Sequence, residues 1–432
     1  MVIMGLGISG LSCIDFFLER NIYPRVIDTR PNHPQLNKLP KEVEYISGNF
    51  TKKLFKYTDM IVVSPGISIM HPFLQEALAN GIEIISDIEL FCREARAPIV
   101  AITGTNGKTT VATLIGKIAN SYGYYTGIGG NIGIPALKLL LKPYQLYVLE
   151  ISSFQLETVQ SIQSIVSIIL NITEDHLDRY PFGFSDYRNT KLRIYEKSSV
   201  CIYNAEDNNT YPKRRNIQNY LSFGISKGDY YLDHSSPGNI WLYVKGKKIL
   251  NTKNIKLLGQ HNYMNILASL AISDVLGIPR TVTLQIISNF NSLPHRYQLI
   301  LNRNNIQWIN DSKSTNIGST IAAIKLTKKN RNGIIHLLLG GDGKCSNFQP
   351  LREYLQYRIQ VYCFGKDKDI LSTLHPQITK KTETMEEAMY LLVKKLTPGD
   401  TVLLSPACSS QDQYLNFSQR GNLFSALAKK LG

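Results

Sequence analysis

The sequence predicts an α/β fold with two or three domains, and three observations lead to this prediction. The 432 residues exceed the length at which one hydrophobic core usually keeps growing. Apolar, β-branched runs such as 99–102 and 165–170 alternate with helical patterns. Glycine-rich or polar turns follow several of these runs, at the strand ends where open α/β sheets bind ligands.

The composition indicates a globular protein, with 43% hydrophobic and 19% charged residues. No apolar run is long enough to span a bilayer, and Met1 leads directly into the apolar segment 2–4 without a basic region typical of secretory signals. The six cysteines are scattered singly, without metal-ligand spacing. We therefore expect a cytoplasmic protein with reduced thiols and no membrane partner.

The net charge of +15 suits either a nucleic-acid binder or a basic surface that tolerates anionic ligands such as nucleotides. The basic residues are spread along the chain and form few dense runs, of which 213–215 is one. No recognisable nucleic-acid-binding module accompanies them. The basic surface is the favoured interpretation, and no nucleic-acid partner is expected.

The N-terminal segment 2–10 is a strand followed by a turn with three glycines, a helix over 11–19 and a second strand that ends at Asp28. This pattern is typical of dinucleotide-binding enzymes, the acidic residue included, and favours an NAD-dependent dehydrogenase. A glycine turn at a helix N-terminus nevertheless binds any diphosphate. A further strand over 60–64 ends in Ser64-Pro65-Gly66, and the first domain is predicted to end near residue 86.

The central segment 101–110 joins the strand over 99–102 to a helix that begins at Val111. Gly104 and Gly107 allow a tight turn whose N–H groups cradle phosphate, Lys108 supplies a positive charge, and the hydroxyl of Thr109 is placed for Mg²⁺. The general P-loop has four residues between its glycines, whereas this turn has two. It is therefore either a compact P-loop or an ordinary strand–helix connection.

Two further strands end in acidic residues. Glu150 follows the strand over 146–149 and is a candidate Mg²⁺ ligand, or else an N-cap for a helix near Ser152. Glu174, Asp175 and His176 follow the strand over 165–170, and they hold a second cation or make structural hydrogen bonds. The helix predicted over 187–195 carries Lys191. The position of this lysine in the pattern does not set it apart from the other lysines of the chain.

The last third of the chain contains a second set of polar strand ends. Short strands without evident chemistry occupy 200–255, and a helix over 266–276 follows the segment 259–265. A break in the pattern at 292–296 suggests a hinge into a third domain. The polar segments 310–316, 340–344 and 405–410 each follow an apolar strand and predict a second site.

Together these segments resemble the Mur ligase family, in which 104–109 is the compact P-loop. The resemblance extends over nearly the whole length, through 5–7, 28–30, 64–67, 87–93, 129–133, 150–157, 173–176, 191–195, 259–262, 294–296, 310–313, 340–344 and 405–408. It implies a Rossmann-like N-terminal domain over 1–86 for a uridine diphosphate, a central P-loop ATPase-type domain over 87–292, and a Rossmann-like C-terminal domain over 293–432 for an amino acid.

The resemblance also implies site residues. Those expected around ATP are Gly104, Thr105, Asn106, Gly107, Lys108, Thr109, Thr110, Asn265, Arg296 and Asp311. Those expected around the UDP-linked substrate are Asp28, Thr29, Arg30, Ser64, Gly66, Asn131, Ser152, Gln155 and His176. D-Glutamate would contact Lys313, Thr315, Lys344, Ser410 and Phe417. The implied catalytic groups are Lys108, Glu150, His176 and Lys191, and the metal ligands are Thr109, Glu150, His176 and Lys191 as a CO₂-derived carbamate.

The implied reaction is amide formation between UDP-N-acetylmuramoyl-L-alanine and D-glutamate, driven by ATP with two Mg²⁺ and proceeding through an acyl phosphate. We expect a monomer. Two departures affect the expectation: the chain starts almost inside its first strand, and Gln411 stands where an apolar residue is expected near the D-glutamate site. Another amide ligase of the same superfamily, similar to folylpolyglutamate synthetase, is the alternative.

Overall fold

The computed structural model describes residues 1–48, 56–212, 219–236 and 239–432. The basic run at 213–215 lies outside the described residues. The described residues form three sheets and divide into two compact units. The first unit comprises 1–172 and 184–290, and the second comprises 173–183 and 291–432. No helix in these ranges is long and apolar enough to cross a bilayer.

The first sheet is parallel, with strand order β3-β2-β1-β4-β5. Its strands are β1 (Val2–Met4), β2 (Arg25–Asp28), β3 (Tyr45–Ser47), β4 (Met60–Val63) and β5 (Glu83–Ile85). The helices of this part are α1 (Ile8–Leu18), α2 (Pro72–Ala79) and α3 (Asp87–Glu94). The strand order reverses at β1 and β4, and ligands of open α/β sheets bind at such a point.

Helix α1 begins at Ile8, earlier than predicted, because the glycine turn leads straight into it. Gly10 lies in the first turn of α1, where a Cβ would be only 2.0 Å from the carbonyl oxygen of Gly5. Glycine at this position therefore allows the helix to approach the end of β1 closely.

The central sheet has the order β14-β13-β12-β11-β10-β9-β6-β8-β7 and is parallel from β7 to β12. Its strands are β6 (Ile99–Thr103), β7 (Thr126–Gly130), β8 (Leu146–Glu150), β9 (Val166–Ile169), β10 (Cys201–Asn204), β11 (Tyr220–Gly224), β12 (Tyr230–Ser236), β13 (Asn239–Val244) and β14 (Lys247–Asn251). The helices are α4 (Lys108–Tyr122), α5 (Ala136–Leu139), α6 (Ser153–Leu156), α7 (Phe184–Leu192), α8 (Gln260–Val275) and α9 (Arg280–Asn289).

The strands at the centre of this sheet are entirely buried, which explains their continuous apolar sequences. All residues of β6, β8 and β9 are buried. Helix α7 is shifted by three residues toward the N-terminus relative to the predicted helix over 187–195. Its last turn contains Lys191. Helix α8 begins at Gln260, six residues before the predicted start, so Asn265 lies inside it.

The third sheet has the order β15-β16-β20-β17-β18-β19, and only its edge strand β15 is antiparallel to its neighbour. Its strands are β15 (Gln298–Arg303), β16 (Ile306–Asn310), β17 (Ile335–Gly340), β18 (Ile359–Phe364), β19 (Thr379–Lys381) and β20 (Thr401–Ala407). The helices are α10 (Ile317–Asn330), α11 (Lys368–Ser372), α12 (Met385–Val393) and α13 (Phe417–Leu431). Apolar clusters cover both faces of the sheet.

The carboxyl ends of β16, β17 and β20 lie side by side because these strands are adjacent and parallel. The polar segments 310–316, 340–344 and 405–410 therefore share one edge of the sheet, as predicted. The predicted domain limits at residues 86 and 292 remain a prediction.

Candidate active site

The turn between β6 and α4 has the geometry of a phosphate-binding loop. Gly104 and Gly107 have φ angles of 145° and 90°, which favour glycine. A Cβ on Gly107 would lie 2.3 Å from Oδ1 of Asn265 in α8, so the turn also needs the space that glycine leaves. The turn leads into the first turn of α4, where N–H groups lack carbonyl partners within the helix. This arrangement suits an anionic group such as phosphate.

Asn171, two residues after the end of β9, holds the middle of this loop. Its carbonyl oxygen accepts a hydrogen bond from the N–H of Thr105 at 2.8 Å. Its side chain accepts from the N–H of Asn106 at 2.9 Å and donates to the carbonyl of Asn106 at 3.1 Å. The hydroxyl of Tyr187 in α7 lies 3.0 Å from that of Thr105. The sequence analysis missed the roles of both residues, although the strand-end position of Asn171 was a usable signal.

Two lysines share the carbonyl oxygen of Gly104. The Nζ of Lys108 donates to this oxygen at 2.7 Å and to the carbonyl of Thr105 at 3.0 Å. The Nζ of Lys191 donates to the same oxygen at 3.2 Å, and Lys191 is only 2% exposed. The two ammonium groups are therefore close neighbours, and their like charges repel each other.

The carboxylate of Glu150 lies beside the phosphate-binding loop. Its Oε2 accepts a hydrogen bond from the hydroxyl of Thr109 at 2.7 Å, and its Oε1 accepts from Nδ2 of Asn131 at 3.0 Å. Glu150 is 3% exposed. Carboxylate and hydroxyl oxygens are ligands that Mg²⁺ accepts. The other interpretation of Glu150, as a helix cap, is wrong because Ser152 is the N-cap of α6.

Ser152 and Gln155 form a capping box at the start of α6. The side chain of Ser152 accepts from the N–H of Gln155 at 3.2 Å, and Oε1 of Gln155 accepts from the N–H of Ser152 at 3.1 Å. The Nε2 of Gln155 donates to Asp87 at 3.4 Å, and Gln155 is 1% exposed. Both residues stabilise the helix, and their contact with a substrate remains a prediction.

Asp28 at the end of β2 is engaged by its own chain. Its carboxylate accepts from the N–H of Leu6 at 3.0 Å and forms two side-chain bonds with Arg30, at 2.9 and 3.0 Å. Burial alone would raise the pKa of Asp28, but the bonds from Arg30 and Leu6 outweigh it and lower the pKa to about 2. In a dinucleotide-binding enzyme this acid binds a ribose, whereas here it orients Arg30.

The turn after β4 meets the glycine turn after β1. The hydroxyl of Ser64 donates to the carbonyl of Gly5 at 3.0 Å, and a Cβ on Gly5 would lie 2.9 Å from the Cβ of Ser64. Thr29 directly follows β2, and Gly66 lies in the turn after β4. Both residues are exposed. These strand ends flank the point where the strand order reverses, which is the predicted position for the diphosphate.

In the second unit, Asp311 follows β16 and accepts hydrogen bonds from Tyr297 and Ser405. The N–H of Tyr297 donates to it at 3.0 Å, and the hydroxyl of Ser405 donates at 2.9 Å. Burial raises the pKa of Asp311 to about 7, although these bonds and the charge of Arg296 act in the opposite direction. Asp311 therefore changes its charge near neutral pH.

The predicted amino-acid residues lie on the loops after β16, β17 and β20 and at the start of α13. The Nζ of Lys313 lies 4.1 Å from the centre of the Phe417 ring, which is a cation–π distance. The N–H of Thr315 donates to the carbonyl of Lys313 at 2.9 Å. Ser410 is 3% exposed, and its carbonyl accepts from the N–H of Tyr414 at 2.8 Å.

His176 belongs to the second unit, through the segment 173–183. It has a left-handed φ of 54°. The Nζ of Lys344 lies 3.4 Å from its Nε2 and 3.7 Å from Oδ1 of Asp175. The structure therefore groups His176 with Lys344, 168 residues away in sequence.

The predicted metal ligands are thus divided between the units: Thr109, Glu150 and Lys191 belong to the first, and His176 to the second. Within the described ranges, no three His, Cys, Asp or Glu side chains are grouped so that they could hold a metal ion. A magnesium ion at Glu150 would therefore also need the hydroxyl of Thr109 and oxygen atoms of its ligand.

Comparison with protein families gives three matches in consecutive parts of the chain. The Mur ligase MurD-like N-terminal domain matches residues 1–86, the Mur ligase middle domain matches 102–273, and the Mur ligase glutamate ligase domain matches 295–408. The predicted α/β fold with three domains is confirmed. The dehydrogenase interpretation of the N-terminal glycine turn is wrong, since residues 1–86 match a ligase domain.

Curated relatives match the whole chain. Proteins from Escherichia coli K12, Shigella dysenteriae and Salmonella typhimurium, each named UDP-N-acetylmuramoylalanine–D-glutamate ligase, are 55% identical. Each alignment covers 100% of this chain and 98% of the relative.

Solved structures share the fold at low sequence identity. The UDP-N-acetylmuramate-alanine ligase of Thermotoga maritima has a TM-score of 0.64 at 18% identity and covers 100% of this chain and 99% of its own. The MurF ligase of the same organism, solved in complex with ADP, has a TM-score of 0.64 at 18% identity. The match covers 88% of this chain and 97% of the MurF chain. From the three domain matches and the full-length relatives, the chain belongs to the Mur ligase family.

Proposed function

We propose that this protein joins D-glutamate to UDP-N-acetylmuramoyl-L-alanine in an ATP-dependent reaction, during cytoplasmic synthesis of peptidoglycan precursors. The observation that carries the proposal is the 55% identity, over the whole chain, to relatives named for this reaction. The reaction has two steps. ATP phosphorylates the terminal carboxylate and is released as ADP, and the amine of D-glutamate then attacks the acyl phosphate to give an amide and phosphate.

The first unit has the groups that ATP and Mg²⁺ require. The loop 104–107 and the first turn of α4 would hold the phosphates, and Lys108 would leave the carbonyl of Gly104 to contact them. Thr109, Thr110 and Asn265 border this loop. The hydroxyl of Thr109 and the carboxylate of Glu150 fit Mg²⁺, which when bound supplies positive charge against the transferring phosphoryl group.

Lys191 is the proposed site of carbamylation by CO₂. Its ammonium group is buried and shares one carbonyl oxygen with Lys108, which is an unfavourable arrangement for two cations. Carbamylation would replace the cation with an anion and remove this repulsion. It would also provide oxygen ligands for a second Mg²⁺ beside the loop. His176 remains a proposed metal ligand.

The other substrates are assigned to strand ends. Arg30, oriented by Asp28, would contact the diphosphate together with Thr29, Ser64 and Gly66. Asn131, Ser152, Gln155 and His176 are assigned to the muramoyl-alanine part. In the second unit Lys313, Lys344, Thr315, Ser410 and Phe417 would bind D-glutamate, and Arg296 and Asp311 would contact the nucleotide. The two lysines suit an amino acid with two carboxylates.

Phosphate release from ATP tests the substrate assignment. Purified protein receives UDP-N-acetylmuramoyl-L-alanine, Mg²⁺ and bicarbonate, with D-glutamate, L-glutamate, L-lysine or meso-diaminopimelate in separate reactions. We expect release with D-glutamate alone, and none with the Lys108→Ala variant. Release with another amino acid would retain the family and reject the proposed substrate.

The carbamate has its own test, which is independent of turnover. Protein equilibrated with ¹³C-labelled bicarbonate should show a carbamate carbon signal by NMR, and the Lys191→Ala variant should lack it. A signal of equal intensity in the variant would assign carbamylation to a different lysine. The predicted monomer can be checked by sedimentation of the same samples.

A further inference from the structure

Arg420 is the largest buried side chain after Trp308 among the described residues, and it is a charged one. It lies in the first turns of α13 and is 0% exposed. Its burial has no signal in the sequence, because one arginine in a helix next to polar residues usually faces solvent. A guanidinium group buried this completely needs partners for all five of its N–H groups.

The structure provides a hydrogen bond for each of these groups. The Nε donates to the hydroxyl of Ser312 at 3.1 Å. The Nη2 donates to the carbonyls of Ser312 and Cys408, at 2.9 and 3.1 Å. The Nη1 donates to the carbonyls of Gly340 and Ser409, both at 3.4 Å. The guanidinium group therefore has no donor left for a ligand.

The five bonds connect the last residue of β17 with the loops that follow β16 and β20, so they meet where all three loops begin. Each loop carries a residue assigned to D-glutamate close to the bond: Lys313 follows Ser312, Ser410 follows Ser409, and Lys344 lies four residues after Gly340. The second and third loops are also joined by mutual backbone bonds between Asp342 and Ser409, at 3.0 and 2.8 Å. We call Arg420 with these five bonds the arginine clamp.

Two further contacts show that the surroundings are fitted to the clamp. Gly341 has a φ of 124°, and a Cβ there would lie 2.1 Å from the carbonyl of Ser409 and 3.2 Å from Nη1 of Arg420. The hydroxyl of Ser312 donates to the carbonyl of Phe417, the first residue of α13, at 2.8 Å. The clamp thus also fixes the helix end that carries Phe417.

Among the described residues, the nearby Asp412 interacts with Arg420 electrostatically without forming a salt bridge. In the described part of the chain no carboxylate forms a salt bridge with it, and its bonds go to carbonyls and one hydroxyl. Burial lowers the pKa of Arg420 to about 10, so it remains a cation at neutral pH. With Lys313 and Lys344 it adds a third cation to the loops at this edge of the sheet, where Asp342 and Asp412 also lie.

We propose that Arg420 is a positioning residue for D-glutamate: the clamp fixes the three loops in the arrangement that lets Lys313, Lys344, Ser410 and Phe417 bind one dicarboxylic amino acid. This inference rests on the proposed function. It goes beyond that function in assigning affinity for D-glutamate to a side chain that does not contact it.

The test compares Arg420→Lys and Arg420→Met with a control variant, Leu427→Ala. Leu427 lies on the same helix but packs in the apolar cluster, so its truncation leaves a cavity in the core and keeps the five bonds of the clamp. Steady-state constants are measured for each substrate at a temperature where all variants are folded. For Arg420→Lys the KM for D-glutamate should rise about tenfold, and for Arg420→Met more, while the KM for ATP changes less than about twofold. Leu427→Ala should lower the melting temperature and leave both constants unchanged.

Other outcomes have definite meanings. A wild-type protein inactive with D-glutamate would reject the proposed function, whereas an active wild type with unchanged KM in both Arg420 variants would overturn only this inference. Equal changes in the KM for D-glutamate and ATP, or the same change in Leu427→Ala, would also overturn it. If both Arg420 variants fail to fold, Ser312→Ala removes one clamp bond, and an unchanged KM for D-glutamate in that variant rejects the inference.

Discussion

Asp28 and Asp311 are both buried carboxylates at the ends of strands, yet their surroundings shift their pKa values in opposite directions. Asp28 has a bidentate partner in Arg30, and its pKa is about 2. Asp311 is more deeply enclosed and accepts bonds from the neutral donors of Tyr297 and Ser405, and its pKa is about 7. The difference follows from burial, which raises the pKa of Asp311, and from the bonds of Arg30 and Leu6, which outweigh burial at Asp28.

This difference predicts opposite pH dependences of stability. The pKa of Asp311 is raised from 3.8 to about 7 on folding. Asp311 therefore stabilises the folded protein fully below pH 4, and this stabilisation is lost as the pH rises through 7. The free energy of unfolding of Asp311→Asn, relative to wild type, should therefore increase by about 2 kcal/mol between pH 5 and 8. Urea unfolding at several pH values measures this.

Asp28→Asn is the matched control. The pKa of Asp28 is lowered from 3.8 to about 2 on folding. The carboxylate therefore stabilises the folded protein fully above pH 4, and this stabilisation is lost only as the pH falls through 2. The difference between Asp28→Asn and wild type should be constant between pH 5 and 8. A constant difference for Asp311→Asn as well would show that Asp311 is ionised in the folded protein throughout this range.

Glu150→Gln tests the role of the buried carboxylate beside the P-loop. Glutamine has the same shape and can keep partners in Thr109 and Asn131, so the melting temperature should change little. We expect kcat/KM to fall by about 100-fold or more, roughly 3 kcal/mol, and the Mg²⁺ concentration for half-maximal rate to rise. An unchanged Mg²⁺ requirement would leave Glu150 with a structural role only.

At the scale of elements, the connection between β1 and α1 provides a matched pair of glycines. A Cβ on Gly10 would lie 2.0 Å from the backbone oxygen of Gly5, whereas a Cβ on Gly7 would meet nothing within 4 Å. Gly10→Ala should lower the free energy of unfolding by about 3 kcal/mol, since the backbone cannot move aside. Gly7→Ala should cost about 1 kcal/mol or less, the penalty of alanine at an N-cap.

Urea unfolding followed by circular dichroism compares these two variants directly. Binding of the UDP-linked substrate should weaken more in Gly10→Ala, because the same contact sets the distance between α1 and the end of β1. Equal losses of stability in both variants would contradict the close approach of helix and turn.

Elements with strong local signals could be predicted from the sequence. Continuous apolar residues predict the buried strands β6, β8 and β9. The two glycines predict the turn at 104–107, and both have positive φ angles in the structure. Helix starts were less accurate, as for α8, because its first turn contains polar residues. The capping box of α6 was missed as a structural feature, although the spacing of Ser152 and Gln155 is typical of one.

At the scale of the whole molecule, contacts between distant segments could not be predicted. Lys344 and His176 are 168 residues apart, and Arg420 and Ser312 are 108 apart. No local pattern distinguishes these pairs, since lysine and arginine are frequent throughout this basic chain. The resemblance to a family supplied Lys344 and His176 as site residues, whereas Arg420 required the structure.

The two-unit organisation leads to a last prediction, that ATP and the UDP-linked substrate make the protein more compact. An acyl phosphate hydrolyses unless water is excluded, so we expect the ligand-bound protein to be more compact than the free protein. The longer segment of the second unit begins at Asn291, and shortly after it His295 and Tyr297 have positive φ angles of 62° and 46°. Such non-glycine conformations are typical of a segment whose backbone is under constraint.

Small-angle X-ray scattering measures this change. The radius of gyration should fall when a non-hydrolysable ATP analogue and UDP-N-acetylmuramoyl-L-alanine are both present, and it should stay constant in Lys108→Ala, whose loop lacks the lysine that would contact the phosphates. Identical scattering profiles with and without ligands in the wild type would contradict closure. Water would then reach the acyl phosphate, and hydrolysis of ATP without D-glutamate should become measurable.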